Sequence, residues 1–395
     1  MKRLEWANAL RGVAALTVLV AHYGVAFWMN QGGVAGLARR EPLYDGSSGA
    51  PRFARLLAAV PVDLAAFGVG LFFLISGYVI AISLDRYSRR GFIIGRCMRV
   101  LPTYAAGYLV TCLVVWAAGD PANELLPTHV LAGMVPGLPY LVGIPAPADG
   151  IVWTLIVELV FYAVCLLVYR SLTRRWYAIL AVGVACLALQ LVIARSAAAI
   201  PFTAGRGLAY IVLLAAPFLP VMLIGVVLSA YRRGQLAMPA TLLLVPALTG
   251  VHLVLMSTTE VVPTALKYRL TFVGTIGLFA VVSVFGDRWR AHPVTGFFAD
   301  ISYPLYVVHA VLGYVLLSLL TAGGLRAPAA ILVAAATAIV VAWLVHRVVE
   351  EPTHRLGQRW ARAFAYRPDD AAPLPIEDQR EPSTVAGDEP TRQVL

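Results

Sequence analysis

Charged side chains are scarce in this chain. They account for 13% of its 395 residues, whereas hydrophobic residues account for 60% and the mean hydropathy is +0.78. Soluble globular proteins carry about twice that share of charge. The composition therefore excludes an ordinary soluble domain and predicts a protein that is embedded in a membrane.

Cysteine pairs and clusters of metal ligands are also missing. The four cysteines lack CxxC spacing and fall in or beside apolar runs, so we expect small buried side chains at Cys97, Cys112, Cys165 and Cys186. Four of the histidines are scattered singly, at His129, His252, His292 and His346. We predict no metal site and no tightly bound cofactor.

Long apolar runs dominate the sequence instead. Each has about 17–25 residues, which is enough to cross the hydrocarbon core of a bilayer. The first run has no small-residue cleavage site, so we interpret it as a span and not as a signal peptide. The expected fold is all-α, a polytopic membrane protein with about ten transmembrane helices, at roughly 8–28, 64–84, 101–118, 151–169, 176–194, 208–230, 237–256, 268–286, 301–320 and 327–346.

The basic residues predict the orientation of the chain. An even number of spans puts both termini on one side, and most of the 31 Lys and Arg residues fall in segments on that side. The positive-inside rule then places both termini in the cytoplasm. The net charge of +10 is explained in this way, so we expect the lipid bilayer and an anionic cytoplasmic ligand as partners and no nucleic acid.

Two domains are expected. Residues 1–362 form the membrane domain, and the polar, proline-rich residues 363–395 form a disordered cytoplasmic tail. The outer segments 29–63 and 119–150 are long connections, and long connections are often functional.

The first span carries two polar residues, Arg11 and His22, in the stretch LRGVAALTVLVAH. Eleven residues at about 100° each end about 20° beyond three full turns, so both side chains lie on one helix face, about 16 Å apart. Arg11 can reach the cytoplasmic surface, whereas His22 lies past mid-span. An imidazole there can serve as a general base toward a hydroxyl group.

The fourth span contains the stretch WTLIVELVFY. Glu158, Tyr162 and Cys165 share one helix face, and a carboxylate inside a membrane is expected to face the interior of the bundle. Glu158 is therefore a candidate for orienting or protonating a catalytic group, although a bridge between helices is the alternative. Trp153 lies near the outer interface.

The ninth span contains ISYPLYVVH, which places Ser302, Tyr306 and His309 on one face. Hydroxyl and imidazole groups there can bind a polar ligand or join helices.

Between the second and third spans, the cytoplasmic stretch DRYSRRGFIIGRCMRVLP carries five arginines. Arginine binds phosphate well, so a phosphorylated donor is one explanation and orientation of the chain is the other.

With these motifs, the sequence resembles the acyltransferase 3 family of polytopic bacterial membrane O-acyltransferases. The family has ten core spans and a first-span pattern of Arg, ten residues and His, which Arg11 and His22 match. Further matches, in the right order from about residue 5 to 357, are GVGLFFLISGYVI, RCMRVLP, WTLIVELVFY, ISYPLYVVH and VEEPTHR. Two departures are Gly70, where many members have Asp, and Thr154, where Ser is usual. Relative to the family pattern, Gly70 removes a possible carboxylate from the site, whereas Thr154 keeps the hydroxyl.

The resemblance implies acyl transfer from acyl-CoA, with Arg11 and His22 as the essential pair. We expect Glu158 to orient or stabilise His22 and the guanidinium groups of Arg11, Arg96 and Arg99 to bind acyl-CoA. The expected substrate pocket consists of Ser76, Trp153, Tyr162, Ser302, Tyr306 and His309. His22 would either deprotonate the acceptor hydroxyl or carry the acyl group briefly.

The resulting prediction is an O-acyltransferase of the bacterial plasma membrane. It would transfer an acyl group, with acetyl favoured, from acyl-CoA as co-substrate to a hydroxyl of a sugar-containing acceptor such as an envelope polysaccharide. A small glycosylated metabolite is an alternative acceptor. A proton-coupled transporter or flippase is the alternative from another class, although we find no internal repeat of the kind common in transporters. A third alternative is a family member that has lost catalysis and only scaffolds envelope enzymes.

Overall fold

The computed structural model describes residues 4–118, 126–144, 149–169, 171–196, 203–259, 261, 265–286 and 292–365. These residues form helices and no strand; one isolated β-bridge joins Tyr87 and Ala365. Within them, eight helices are long and apolar enough to cross a membrane, and a bent pair of helices would make a ninth. A tenth apolar helix, Val152–Val168, has 17 residues.

All ten predicted spans correspond to apolar helices, which confirms the all-α polytopic class. We number these helices in chain order as α1 (Glu5–Met29), α2 (Leu64–Arg86), α3 (Arg89–Ala118), α4 (Val152–Val168), α5 (Trp176–Arg195), α6 (Gly205–Ala215 and Leu219–Arg232), α7 (Met238–Ser257), α8 (Leu266–Phe285), α9 (Ser302–Ala322) and α10 (Ala327–Arg362).

Two helix boundaries differ from the prediction. The stretch interpreted as a cytoplasmic loop is helical from Arg89 onward, with Pro102 inside α3. Helix α10 continues to Arg362 through a π-helical turn, His346–Glu350. Hydropathy recognises only the apolar part of a helix, so a charged extension gives no signal.

The first three residues of the expected tail, 363–365, belong to the described part of the chain, and the Ser88 backbone N–H donates to the Phe364 carbonyl at 2.9 Å. The rest of that tail, 366–395, lies outside the described residues.

Helix α6 is broken at Ala216–Phe218, where its two halves meet at a bend of 50°. Pro217 cannot donate a backbone hydrogen bond, and the break frees backbone carbonyls within an apolar bundle. The His252 imidazole of α7 is buried and lies 2.5 Å from the Pro217 carbonyl, so its Nδ1–H satisfies that oxygen. His252 therefore has a structural role at the break.

Helices α2 and α6 cross at very short range. A Cβ atom at Gly77 would lie 1.9 Å from the Met222 carbonyl oxygen, and one at Gly225 would lie 2.2 Å from the Leu74 carbonyl oxygen. Small residues allow this approach of two backbones, which is how helices commonly pack in membranes. The crossing fixes the position of α2, which carries one wall of the cavity described below.

We expect Gly77→Ala to destabilise the folded protein, because its methyl group must displace the α6 backbone. Overpacking of this kind costs about 1–3 kcal/mol. The matched control is Gly250→Ala in α7, where nothing lies within 4 Å of the added Cβ. Thermal unfolding in detergent checks the prediction: the melting temperature falls for Gly77→Ala only. Equal melting temperatures for the two variants would contradict the close crossing.

Candidate active site

A cavity of about 120 Å³ lies where α1, α2, α3, α4 and α9 meet. Apolar side chains form much of its wall. Its polar lining residues are Arg11, Ser76, Arg96, Arg99, Thr154, Glu158, Ser302, Tyr303 and Tyr306. Seven of the residues predicted from the sequence thus meet in one cavity, although they come from five separate spans.

Two grooves adjoin this cavity at the end of the bundle where α1 and α3 begin. The groove that we call the basic groove has a volume of about 400 Å³ and shares Arg11, Arg96 and Arg99 with the cavity. Among the described residues that line it, Arg86 adds a further guanidinium group and none is a carboxylate. This groove therefore suits an anionic ligand.

The second groove, the mixed-charge groove, has a volume of about 540 Å³. It shares Arg11 and Arg99 with the cavity, but acidic and basic side chains alternate around it: Asp300, His346, Arg347, Glu350, Glu351, His354 and Arg355. Several of these residues pair with each other; His346 Nδ1, for example, lies 2.7 Å from Glu350 Oε2. The mixed-charge groove therefore attracts an anion less strongly than the basic groove does.

The arginines of the cavity differ in their partners. Arg11 donates to the Ser302 hydroxyl at 3.1 Å, which fixes its side chain against α9. Arg96 donates to the Ser83 hydroxyl at 2.6 Å and lies over the rings of Phe92 and Tyr162. The guanidinium group of Arg99 makes no hydrogen bond or ion pair with any residue that the structure describes. Its guanidinium group is thus available for a ligand.

The Glu158 carboxylate lies in the same part of the cavity. Its Oε1 accepts hydrogen bonds from the Ser76 hydroxyl at 2.7 Å and the Tyr162 hydroxyl at 2.5 Å. The hydrogen bond from Tyr162 agrees with the predicted shared face of α4. Two hydroxyl donors therefore satisfy an oxygen of a carboxyl group that would otherwise lie unpaired in an apolar bundle.

A hydrogen bond between α4 and α9 lies further along the cavity. The Thr154 hydroxyl donates to Tyr306 at 2.8 Å, and the Tyr306 ring packs on Phe72. Beyond Tyr306 lies the buried imidazole of His309, whose ring centroid is 5.7 Å from that of Tyr306. Tyr306 therefore lines the cavity and also contacts the ring of His309, which does not line it.

His22 lies outside the cavity. It does not line the cavity or either groove, whereas Arg11 lines all three. The two residues do face the same helix, because Arg11 contacts Ser302 and His22 Nδ1 lies 2.7 Å from the Tyr314 hydroxyl, both on α9. A π-helical turn, His22–Ala26, begins at the imidazole-bearing residue, and such turns often mark functional sites.

The expected contact between Glu158 and His22 is not found in the structure. The carboxylate binds Ser76 and Tyr162, whereas the His22 ring contacts Tyr314 and His309. Helix faces can be predicted from residue spacing within one span, but the relative height and rotation of two spans cannot.

His309 has a fixed tautomer. Its Nδ1 lies 2.8 Å from the Tyr306 carbonyl and 3.1 Å from the Leu305 carbonyl. Because carbonyl oxygens only accept, Nδ1 must carry the proton, and Nε2 of the neutral ring carries a lone pair. That buried Nε2 has no partner among the described residues. The His309 ring packs edge-on against His22, with ring centroids 4.6 Å apart.

Three further sequence expectations need correction. Trp153 does not line the cavity; its ring packs on Phe73 and Phe218. Cys97 is exposed, because it lies on the outer face of a helix that we had interpreted as a loop. Gly70 is not a missing cavity carboxylate, since its Cβ direction points at Phe272 of α8, 3.3 Å away.

Sequence reasoning missed Tyr314 and Asp149. Tyr314 is five residues from His309, which is not a same-face spacing, so only its hydroxyl within an apolar run could have drawn attention to it. Asp149 is buried and accepts hydrogen bonds from the Tyr104 hydroxyl and from the N–H groups of Ile151 and Val152. Burial raises the pKa of Asp149. This carboxylate fixes the start of α4, the helix that carries Glu158.

The described helices and the polar cavity between them define a polytopic membrane protein that holds polar side chains inside its helical bundle. A family model described as an acyltransferase domain matches residues 4–347. Because the match covers most of the chain, this protein belongs to the acyltransferase 3 family and is a membrane acyltransferase. Comparison with curated proteins and with solved structures gives no match.

Proposed function

We propose that this acyltransferase moves an acetyl group from acetyl-CoA to a hydroxyl of a sugar-containing acceptor in the bacterial envelope. The continuity of the basic groove with the cavity is the observation that carries the proposal. An anionic head can bind in the groove while a long, uncharged arm extends between α2, α4 and α9.

The basic groove supports CoA as the donor because CoA carries several phosphates. Arginine binds phosphate through charge-assisted, often bidentate hydrogen bonds. Arg96 and Arg99 are two such groups on one face of α3, and Arg11 faces them from α1. The mixed-charge groove is the poorer site, since Asp300, Glu350 and Glu351 would repel phosphate.

The hydroxyl groups of the cavity support a polar acceptor. Ser76, Thr154, Ser302 and Tyr306 place donors and acceptors of hydrogen bonds along a wall that is otherwise apolar. A few placed polar groups in an apolar pocket are typical of small-molecule sites. A small glycosylated metabolite would satisfy the same groups as the end of an envelope glycan, so the test below includes both.

The proposed reaction is attack of the acceptor hydroxyl oxygen on the thioester carbonyl carbon. A C–O bond forms, the C–S bond breaks, and the proton of the hydroxyl passes through His22 to the CoA sulfur. His22 does not line the cavity, so the proposal includes a movement of Tyr306, which contacts His309, away from Thr154. That movement would connect the donor cavity to the imidazole.

The test is transfer by the purified protein in lipid nanodiscs. Acetyl-CoA labelled in the acetyl group is mixed with a bacterial envelope glycan extract or with a panel of glycosylated small molecules. We expect label in an alkali-labile ester of one acceptor class and one free thiol released per ester. Absence of turnover with acetyl-CoA and with longer acyl-CoA donors would contradict the proposed donor, whereas label in amide products would contradict the hydroxyl acceptor.

A further inference from the structure

The strongest contact of the His22 ring is with Tyr314. The two side chains come from α1 and α9, and their ring planes differ by only 20°. The distance of 2.7 Å between His22 Nδ1 and the Tyr314 oxygen is that of a strong hydrogen bond. One nitrogen of the candidate catalytic imidazole is therefore already occupied.

Tyr314 is suited to hold that nitrogen in place. Its side chain is 3% exposed, and its hydroxyl has no other hydrogen-bond partner among the described residues. A buried hydroxyl without a partner is costly, so the bond to His22 satisfies both groups. The histidine ring also packs edge-on against His309, which is itself fixed to the α9 backbone.

The chemistry of a phenol hydroxyl differs from that of a carboxylate in this position. For Nε2 to act as the base, Nδ1 must carry the proton, and the Tyr314 hydroxyl oxygen accepts that hydrogen bond without placing a negative charge in the bundle. The same contact is therefore kept when His22 takes a proton at Nε2. A catalytic imidazole generally needs a third group that orients it in this way.

We propose that Tyr314 is the positioning residue for His22, holding Nδ1 so that Nε2 is the reacting nitrogen. This inference rests on the proposed function and replaces Glu158 in the role that the sequence assigned to it. Glu158 remains with Ser76 and the arginines of the cavity.

The test compares Tyr314→Phe with Tyr23→Phe. Each substitution removes one buried hydroxyl and keeps the ring. The Tyr23 hydroxyl of α1 donates to the His309 carbonyl of α9, also at 2.7 Å, so both hydroxyls are buried and both join α1 to α9. We expect Tyr314→Phe to lower kcat about 10–100-fold, part of the gain that a positioned base provides, with the KM for acetyl-CoA unchanged within about twofold. Tyr23→Phe should change kcat by less than about threefold.

A spectroscopic readout separates positioning from general stability. The nitrogen shifts of His22 are measured in protein with ¹⁵N-labelled histidine and assigned by their loss in His22→Gln. Wild type and Tyr23→Phe should show one fixed tautomer, whereas Tyr314→Phe should show averaged shifts because Nδ1 has lost its partner.

The outcomes separate this inference from the proposed function. If wild type transfers acetyl groups and Tyr314→Phe keeps its kcat within threefold, the positioning role is wrong while the proposed function stands. If Tyr314→Phe loses turnover but its His22 shifts equal those of wild type, the hydroxyl does not hold the ring and the inference is also overturned. A wild type without transferase activity overturns the proposed function itself.

Discussion

Replacement of His22 by glutamine lowers acetyl transfer about 10²–10⁴-fold, the range that one positioned general base contributes. Donor binding stays unchanged, because His22 lies outside the cavity and both grooves. Single-turnover transfer of labelled acetyl and equilibrium binding of CoA measure the two effects separately. We therefore expect His22→Gln to lose the transfer rate and to keep its affinity for CoA.

His252→Gln is the matched control for this variant. His252 is also a buried intramembrane histidine with one hydrogen-bonded nitrogen, but its partner is the Pro217 carbonyl at the break in α6. We expect a lower melting temperature and turnover within about threefold of wild type for the folded fraction. Equal losses of turnover in His22→Gln and His252→Gln would contradict a catalytic role for His22.

We expect the second large effect, a loss of kcat/KM for acetyl-CoA, from Arg11→Ala. Arg11 is the residue of α1 that lines the cavity and both grooves, and its bond to Ser302 holds the guanidinium group in position. A hydrogen bond to a charged group contributes about 1.5–3 kcal/mol, which corresponds to about 10–150-fold in kcat/KM for acetyl-CoA. Arg11→Lys keeps the charge but loses the planar fork, so its loss should be intermediate.

Arg347→Ala provides the comparison for Arg11. Arg347 borders only the mixed-charge groove, is 58% exposed and pairs with Glu351 at 3.2 Å. An exposed ion pair contributes little, so kcat/KM should stay within about twofold of wild type. The same loss in both variants would mean that general positive charge at this end of the bundle, and not the cavity, governs donor use.

The sequence was sufficient to predict the helices. Apolar runs separated by polar connections recur at span length, and each of the ten runs became an apolar helix. It was less informative about helix ends. The first turns of α3 carry Arg89, Arg90 and Arg96, and a hydropathy window treats them as loop although the backbone is helical.

The candidate site was predicted in part because it depends on faces within single helices. Glu158 and Tyr162 share a face and are hydrogen bonded, and Arg11 and His22 both face α9. Contacts between helices could not be predicted in this way. The pairing of His22 with Tyr314 depends on how α1 and α9 pack and on the π-helical turn at His22, which spacing at 100° per residue does not represent.

The central claim is that an acyl-CoA donor binds in the basic groove and extends into the cavity. Photolabelling tests it most directly: acyl-CoA with a short diazirine-bearing acyl chain is irradiated with the purified protein, and the cross-linked residues are mapped by mass spectrometry. The account predicts cross-links on the α2 wall of the cavity, at Phe72, Ile75, Ser76 or Val79, that excess CoA suppresses. Cross-links confined to exposed, lipid-facing residues such as Leu113, Leu167 and Leu332, or insensitive to CoA, would contradict it.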